Sequence, residues 1–223
     1  KNIPCLLNRF QEVIHRSDVE IILVNNGSSD KSGDILTQAL REHPFLRVIA
    51  VPVNQGYGYG ILSGLREAKG IFLGWTHADM QTDPDDMIRA LELIERNNAS
   101  EKLFIKGSRQ KRKCLDQFFT IGMSFFELLY LQKFLWDINA QPTIFHKTFF
   151  AQWKNPPFDF SLDLYAYYLA KISKLNILRF PVQFPPRIHG TSTWNTSFRQ
   201  KIKFIARTLK FSLGLKKSLR TTI

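Results

Sequence analysis

Gly74-Trp75-Thr76-His77-Ala78-Asp79-Met80-Gln81-Thr82-Asp83-Pro84 is the stretch on which the fold turns. It continues from Ile71-Phe72-Leu73, and the run Ile71 to Trp75 has the apolar character of a strand buried in a parallel sheet. Ligands of open α/β sheets gather beyond the carboxyl ends of such strands, and Asp79 and Gln81 stand at that exit. A carboxylate and an amide oxygen two residues apart suit a hard divalent cation, which keeps several waters and shares its remaining positions with phosphate oxygens. A plain polar loop is the other reading. For Asp83 the capping reading is enough: with Pro84 next and Asp85 and Asp86 following, it starts a helix that runs to about Asn97.

Upstream, Leu46 to Val51 reads as a strand that feeds Asn54-Gln55-Gly56-Tyr57-Gly58-Tyr59-Gly60 and a helix ending near Gly70. The dinucleotide fingerprint fails here, because its third glycine, counted from Gly58 and Gly60, falls on Ser63. What remains is a turn that lets backbone approach a ligand, or tight packing of helix on strand. Val19 to Val24 is an earlier strand. Its exit, Asn25-Asn26-Gly27-Ser28-Ser29-Asp30, either contacts a base or ribose or simply caps a helix from Lys31 to His43. An amphipathic helix carrying Leu6, Leu7, Phe10, Val13 and Ile14 precedes it.

Downstream, the strand Leu103 to Lys106 opens into Gly107-Ser108-Arg109-Gln110-Lys111-Arg112-Lys113, where one arginine fork matches the geometry of a diphosphate. Phe118 to Trp136 is almost wholly apolar but is broken by Glu127, Gln132 and Lys133. That pattern suits a buried hairpin of helices or a segment lying in a membrane interface better than a membrane span. Asp137 to Pro142 is a second polar turn before a short strand and helix. Asp163 opens another helix, either complementing its dipole or aimed into the site, and Ile177 to Val182 is the last strand.

The chain has 223 residues, enough for one α/β domain with a core. With 31 Lys and Arg against 19 Asp and Glu its net charge is +12, which favours nucleic acid, anionic lipid or a phosphorylated ligand. From Phe198 to Ile223 there are eight Lys or Arg and no acid, interleaved with Phe204, Ile205, Leu209, Phe211, Leu213 and Leu215. Residues 198–223 therefore form a basic amphipathic tail suited to a membrane surface, after a domain over 1–197. The basic residues fall in separate clusters with no aromatic stacking platform, so no nucleic-acid partner is expected. Cys5 and Cys114 have no ligand spacing, which fits a reducing compartment.

Six motifs occur in an order and spacing that resemble family 2 glycosyltransferases, most closely the polyprenyl-phosphate and dolichyl-phosphate sugar transferases. They are Asn25 to Asp30, Asn54 to Gly58, His77 to Gln81, Gly107 to Arg109, Asp137 to Gln141 and Arg187 to Ser192. The resemblance implies a GT-A fold, a Rossmann-like, mostly parallel sheet flanked by helices, holding a nucleotide-diphosphate sugar with Mg2+ or Mn2+. Carried over, Asn26, Ser28, Asp30, Asn54, Gly56, Gly58 and Ala78 fall at the nucleotide, Asp79 and Gln81 at the metal, and Arg109 and Arg187 at phosphates. Asp137 falls on the acceptor side. It implies an inverting enzyme that acts on a polyprenyl phosphate or growing glycan, peripheral at the cytoplasmic membrane face. The alternatives are a saccharide or protein hydroxyl acceptor and a catalytically silent nucleotide-sugar-binding protein. Homo-oligomerisation stays open.

Three departures matter. His77 replaces the first acid of the metal motif, Asn25 and Asn26 replace carboxylates of the nucleotide turn, and Thr193 stands where the family usually has Lys. An apolar first strand that ends in a Pro-x-Tyr-Asn-Glu-like stretch is not found before the segment Lys1 to Phe10. Without that strand the sheet is expected to lose an interior partner and expose backbone edges on both sides, so the expectation is a natural chain longer than this one, the alternative being a shortened copy with impaired binding.

Overall fold

The computed structural model describes residues 2–43, 45–110, 114–185 and 206–216. The elements are α1 (Asn2–Val13), β1 (Ile21–Asn26), α2 (Ser32–Glu42), β2 (Leu46–Val51), α3 (Tyr57–Glu67), β3 (Phe72–Trp75) and α4 (Asp85–Arg96). They continue with β4 (Leu103–Arg109), α5 (Cys114–Leu131), β5 (Thr143–His146), α6 (Lys147–Phe150), α7 (Leu162–Ile172) and β6 (Asn176–Val182). A further helix, α8, covers 206–216.

The strands form two sheets. β1 and β2 pair in parallel, Ile21 opposite Leu46 through Asn26 opposite Val51. The other four follow the order β3-β5-β4-β6, in which β5 runs antiparallel to both neighbours while β4 and β6 are parallel. This α/β architecture is the GT-A fold, with the refinement that the larger sheet is mixed. The 33 residues 110–142 between β4 and β5, α5 among them, are long enough for a parallel crossover, so connection length does not explain the reversal, and β5 starts at the edge that β4 leaves. Among the described residues the β1–β2 pair is not hydrogen-bonded to β3.

The core follows this division. The largest cluster joins Leu62 and Leu65 of α3, Leu73 and Trp75 of β3, Phe104, Phe145, Phe149 and most of α7. Its aromatic centre is Phe104, stacked on Phe145 and Tyr167 with Phe149 edge-on. A second cluster packs Ala90 and Ile94 of α4 on Ile105, Ile144, Phe180 and Val182. The third, beneath β1–β2, has five buried residues, Leu6, Leu7, Phe10, Ala39 and Leu46.

α5 is one helix that ends at Leu131, just before Gln132 at φ +57°, so the apolar run Phe118 to Trp136 is not a hairpin of helices. The polar break at Glu127 has its answer in α8. Glu127 is fully buried and accepts a hydrogen bond of 2.6 Å from the Ser212 hydroxyl, and Leu215 joins the main core. The basic tail thus contributes one face to the interior, because Thr208, Ser212 and Leu215 follow each other at helical spacing.

Candidate active site

The exits of β3, β4 and β6 lie on one edge of the larger sheet, and Phe184, two residues beyond β6, joins them. Its ring lies 5.9 Å from that of His77 after β3, and the Arg109 guanidinium at the end of β4 lies 5.1 Å from its centroid.

The turn after β3 is closed by a 2.8 Å hydrogen bond between the Thr76 and Thr82 hydroxyls. Inside it the Gln81 amide N–H donates to Asp79 Oδ1 at 3.1 Å, and the Gln81 side chain donates to the Pro185 carbonyl at 3.3 Å. Met80 sits between them at φ +64°, a left-handed conformation that a non-glycine residue adopts only when its surroundings hold it. Asp83 accepts from the Asp85 N–H at 2.9 Å, the cap expected at the start of α4. Asp86, in the first turn of α4, is buried, and burial pushes its pKa up to about 6 against the pull of Arg89 at 2.8 Å. Ala78 is exposed.

At the β4 exit, Arg109 and Asp137 meet. The Arg109 backbone N–H donates to Asp137 Oδ2 at 2.9 Å, and Nε and Nη2 both donate to Oδ1. Asp137 is 3% exposed and has φ +48°. Arg179 of β6 lies 3.8 Å from its Oδ2 and donates to the carbonyls of Trp136 and Gly107. The arginine anticipated for phosphate and the acid anticipated for the acceptor side are therefore one ion pair, and the lone pairs of Asp137 are largely engaged.

Beneath this pair lies a polar group that motif reading passed over. Lys106, fully buried in β4, donates to the Ala140 carbonyl at 2.7 Å and to the Thr143 hydroxyl at 3.1 Å, with Asp163 at 3.9 Å. Burial lowers its pKa to about 8, opposed by Asp163. Burial raises the Asp163 pKa, opposed by Lys106 and by the Tyr57 hydroxyl, which donates to it at 2.9 Å. Tyr57 in turn accepts from the Gln141 amide, and its ring stacks on Phe160 at 4.4 Å. One signal was available in the sequence: a lysine inside an otherwise apolar strand needs buried partners. Within this group Lys106, Arg109 and Arg179 outnumber Asp137 and Asp163 by three to two.

The turns of the smaller sheet are held differently. Gly27 has φ +68°, and a Cβ there would lie 2.2 Å from the Asn54 nitrogen, so only glycine lets the 25–30 turn meet the 54–58 loop. The Asn26 side chain donates to the Gly56 carbonyl at 2.8 Å, and Asn25 Oδ1 accepts from Ser28 N at 3.1 Å. Asp30 accepts from Ser32 N at the start of α2, and Asn54 from Gly56 N. Gly58 packs on the backbone of 157–159, where a Cβ would meet the Pro157 carbonyl at 2.5 Å. Asn26 is thus occupied with joining the two loops, while Ser28, Asp30 and Asn54 remain at the surface. Arg187 lies outside the described residues.

Among the described residues no three His, Cys, Asp or Glu side chains are grouped to hold a metal. The donor set at the β3 exit is one carboxylate, Asp79, and one amide, Gln81. Such a pair fits a cation that takes its other ligands from phosphate and water, and does not fit a cage built by protein alone.

The glycosyl transferase family 2 model matches residues 2–161. Undecaprenyl-phosphate 4-deoxy-4-formamido-L-arabinose transferase of Photorhabdus laumondii is 33% identical over 119 residues, 48% of this chain and 36% of that protein. A dolichyl-phosphate beta-glucosyltransferase of Trichomonas vaginalis is 31% identical over 110 residues, 47% of this chain and 34% of that protein. The matches thus span about a third of each relative's length. Among solved structures, a Pyrobaculum calidifontis mannosyltransferase in complex with GDP-Man and Mn2+ superposes with a TM-score of 0.62 at 14% identity, covering 85% of this chain and 54% of that one. Glucosyl-3-phosphoglycerate synthase of Mycobacterium tuberculosis, with Mn2+, UDP and glucosyl-3-phosphoglycerate, gives 0.68 at 12% identity, covering 95% and 74%. With the family model matched over more than half of its length, the chain belongs to glycosyl transferase family 2.

Proposed function

We propose that this chain carries the donor-binding and transfer site of an inverting, metal-dependent glycosyltransferase that passes a sugar from a nucleotide diphosphate to a polyprenyl phosphate at the cytoplasmic membrane face. The observation that supports it most is the meeting, through Phe184, of the Asp79–Gln81 turn with the cation-rich group of Lys106, Arg109 and Arg179. Direct displacement at the anomeric carbon places negative charge on the departing diphosphate, and fixed cations beside it lower the barrier. Asp79 and Gln81 would hold a divalent ion, which would supply further charge stabilisation there. In this reading the exposed Ser28, Asp30 and Asn54 take the nucleotide. A lipid phosphate is already an anion and needs no general base, in keeping with an Asp137 whose oxygens are taken by arginine. A hydroxyl acceptor needs a free base, and Asp163, held by Tyr57 and buried, does not offer one.

The test is calorimetric binding of UDP- and GDP-sugars with Mn2+, with Mg2+ and with chelator, to this chain and to Asp79→Ala. Binding that needs the metal and disappears in Asp79→Ala is the expected result. Metal-independent binding, or binding that survives Asp79→Ala, overturns the assignment of Asp79.

A further inference from the structure

Four large apolar side chains of α5, Ile121, Phe125, Leu128 and Leu129, face solvent, with Phe125 61% and Leu129 66% exposed. Their spacing of four, three and one residues places them within one side of the helix, opposite the face that carries Ser124, Glu127 and Leu131 inward. Gly122, on the same outer side, has nothing within 4 Å of where a Cβ would stand. α8 lies alongside: the Tyr130 hydroxyl donates to the Leu213 carbonyl at 3.3 Å, and the Lys216 ammonium donates to the Tyr130 carbonyl at 2.7 Å. Leu213 is exposed, and so are Phe134 and Trp136, whose rings stack 6.3 Å apart just after α5. A stripe of this size on one face marks an interaction surface.

We infer that the outer face of α5, extended by Leu213, Phe134 and Trp136, lies in the interface of an anionic bilayer. Charge favours lipid over another protein as the occupant. Lys210 and Lys216 stand on α8, Lys133 follows α5, and the 26 residues from 198 to 223 hold eight cations and no acid. Aliphatic side chains flanked by an aromatic rim and lysines are the composition of an element that lies in the headgroup region. Among the described residues no helix is long and apolar enough to cross a membrane. Trp136 directly precedes Asp137, and Arg179 grips the Trp136 carbonyl. The platform therefore ends at the acceptor side of the site, and a phosphate on a lipid chain reaches the Arg109–Asp137 pair from the plane of the membrane. This last step rests on the proposed lipid acceptor, whereas the docking surface does not.

The experiment is sedimentation of the 223-residue chain with vesicles of phosphatidylcholine alone and of phosphatidylcholine with phosphatidylglycerol, for the parent and for Phe125→Glu/Leu129→Glu. Circular dichroism and melting temperature are checked to match, since both side chains are exposed. A second measurement is quenching of tryptophan emission by bromine-labelled acyl chains, in the parent and in Trp136→Phe. The expected results are binding to the anionic vesicles, at least about a tenfold loss in the double variant, and quenching that falls in Trp136→Phe. Undiminished binding of the double variant overturns the inference and assigns the contact to the tail alone. A parent that ignores vesicles but forms a dimer broken by the double variant also overturns it, in favour of a second copy. Nucleotide binding to Asp79 is measured separately, so failure of the donor reading leaves these outcomes intact.

Discussion

The two sheets carry the two halves of the candidate site on very different supports. In the four-stranded sheet every residue of β5 and the first five of β4 are buried, and 19 buried side chains form the cluster against it. In β1 all six residues remain partly exposed, and five buried side chains back the β1–β2 pair. The cation-rich group grows from the first support. The turns anticipated for the nucleotide grow from the second, where short hydrogen bonds among Asn25, Asn26, Asn54 and the backbone replace packing. A site built this way has one half fixed in advance and one half whose order depends on few apolar contacts, the property expected of a ligand-ordered region.

The sharpest way to break the contrast is to damage the stronger half. Asp137→Ala leaves Arg109 and Arg179 facing each other with no carboxylate, and should cost about 3–5 kcal/mol in urea unfolding. Hydrogen exchange should quicken in 103–109 and 143–146 before it does in 21–26 and 46–51. An equal change in both sheets means that they unfold as one unit.

A smaller effect comes from pH. Burial pushes the pKa of Glu127 up to about 7, so the folded state favours its neutral form. The stabilisation is complete below the ordinary glutamate pKa of about 4.5 and is lost as pH rises to about 7, about 2–3 kcal/mol across that window. Glu127→Gln should flatten the stability profile there, while the α5–α8 contact survives through an amide hydrogen bond to Ser212. A profile unchanged by this substitution removes Glu127 as its source.

The smallest effect concerns the joint between the halves. Arg9 of α1 holds both oxygens of Asp83 at 3.0 and 3.1 Å, but both side chains are partly exposed. Arg9→Ala should cost no more than about 1 kcal/mol and lose that effect in high salt. A larger, salt-insensitive cost means that the two sheets depend on each other more than their cores imply.

The sequence located the strands well: Leu46 to Val51 matches β2 at both ends, and the other strand positions differ by a few residues. Local pattern specifies each strand, but not which way it enters the sheet, so the reversal of β5 was not legible. Nor was the Arg109–Asp137 pair, which joins residues 28 apart that were assigned separate duties. The Tyr57–Asp163–Lys106 group was hidden because Tyr57 sits among glycines that draw attention to the backbone, while its hydroxyl reaches a partner 106 residues away. The tail read as surface because its charges dominate. Two of the inward residues of α8, Thr208 and Ser212, are small and polar and do not stand out, and Glu127 inside an apolar run was the trace left at the other end of the contact.

Met80 ties these observations together mechanically. Its backbone is left-handed and its side chain packs against the cluster of Leu6, Leu7 and Phe10, while Arg9 grips Asp83 three residues further on. Asp79 and Gln81 thus ride on a bracket bolted at two points to the lighter half of the molecule. Under the proposed function, a shift of that half moves the proposed metal donors with it, so nucleotide binding is expected to change their distance to Arg109 at the end of β4.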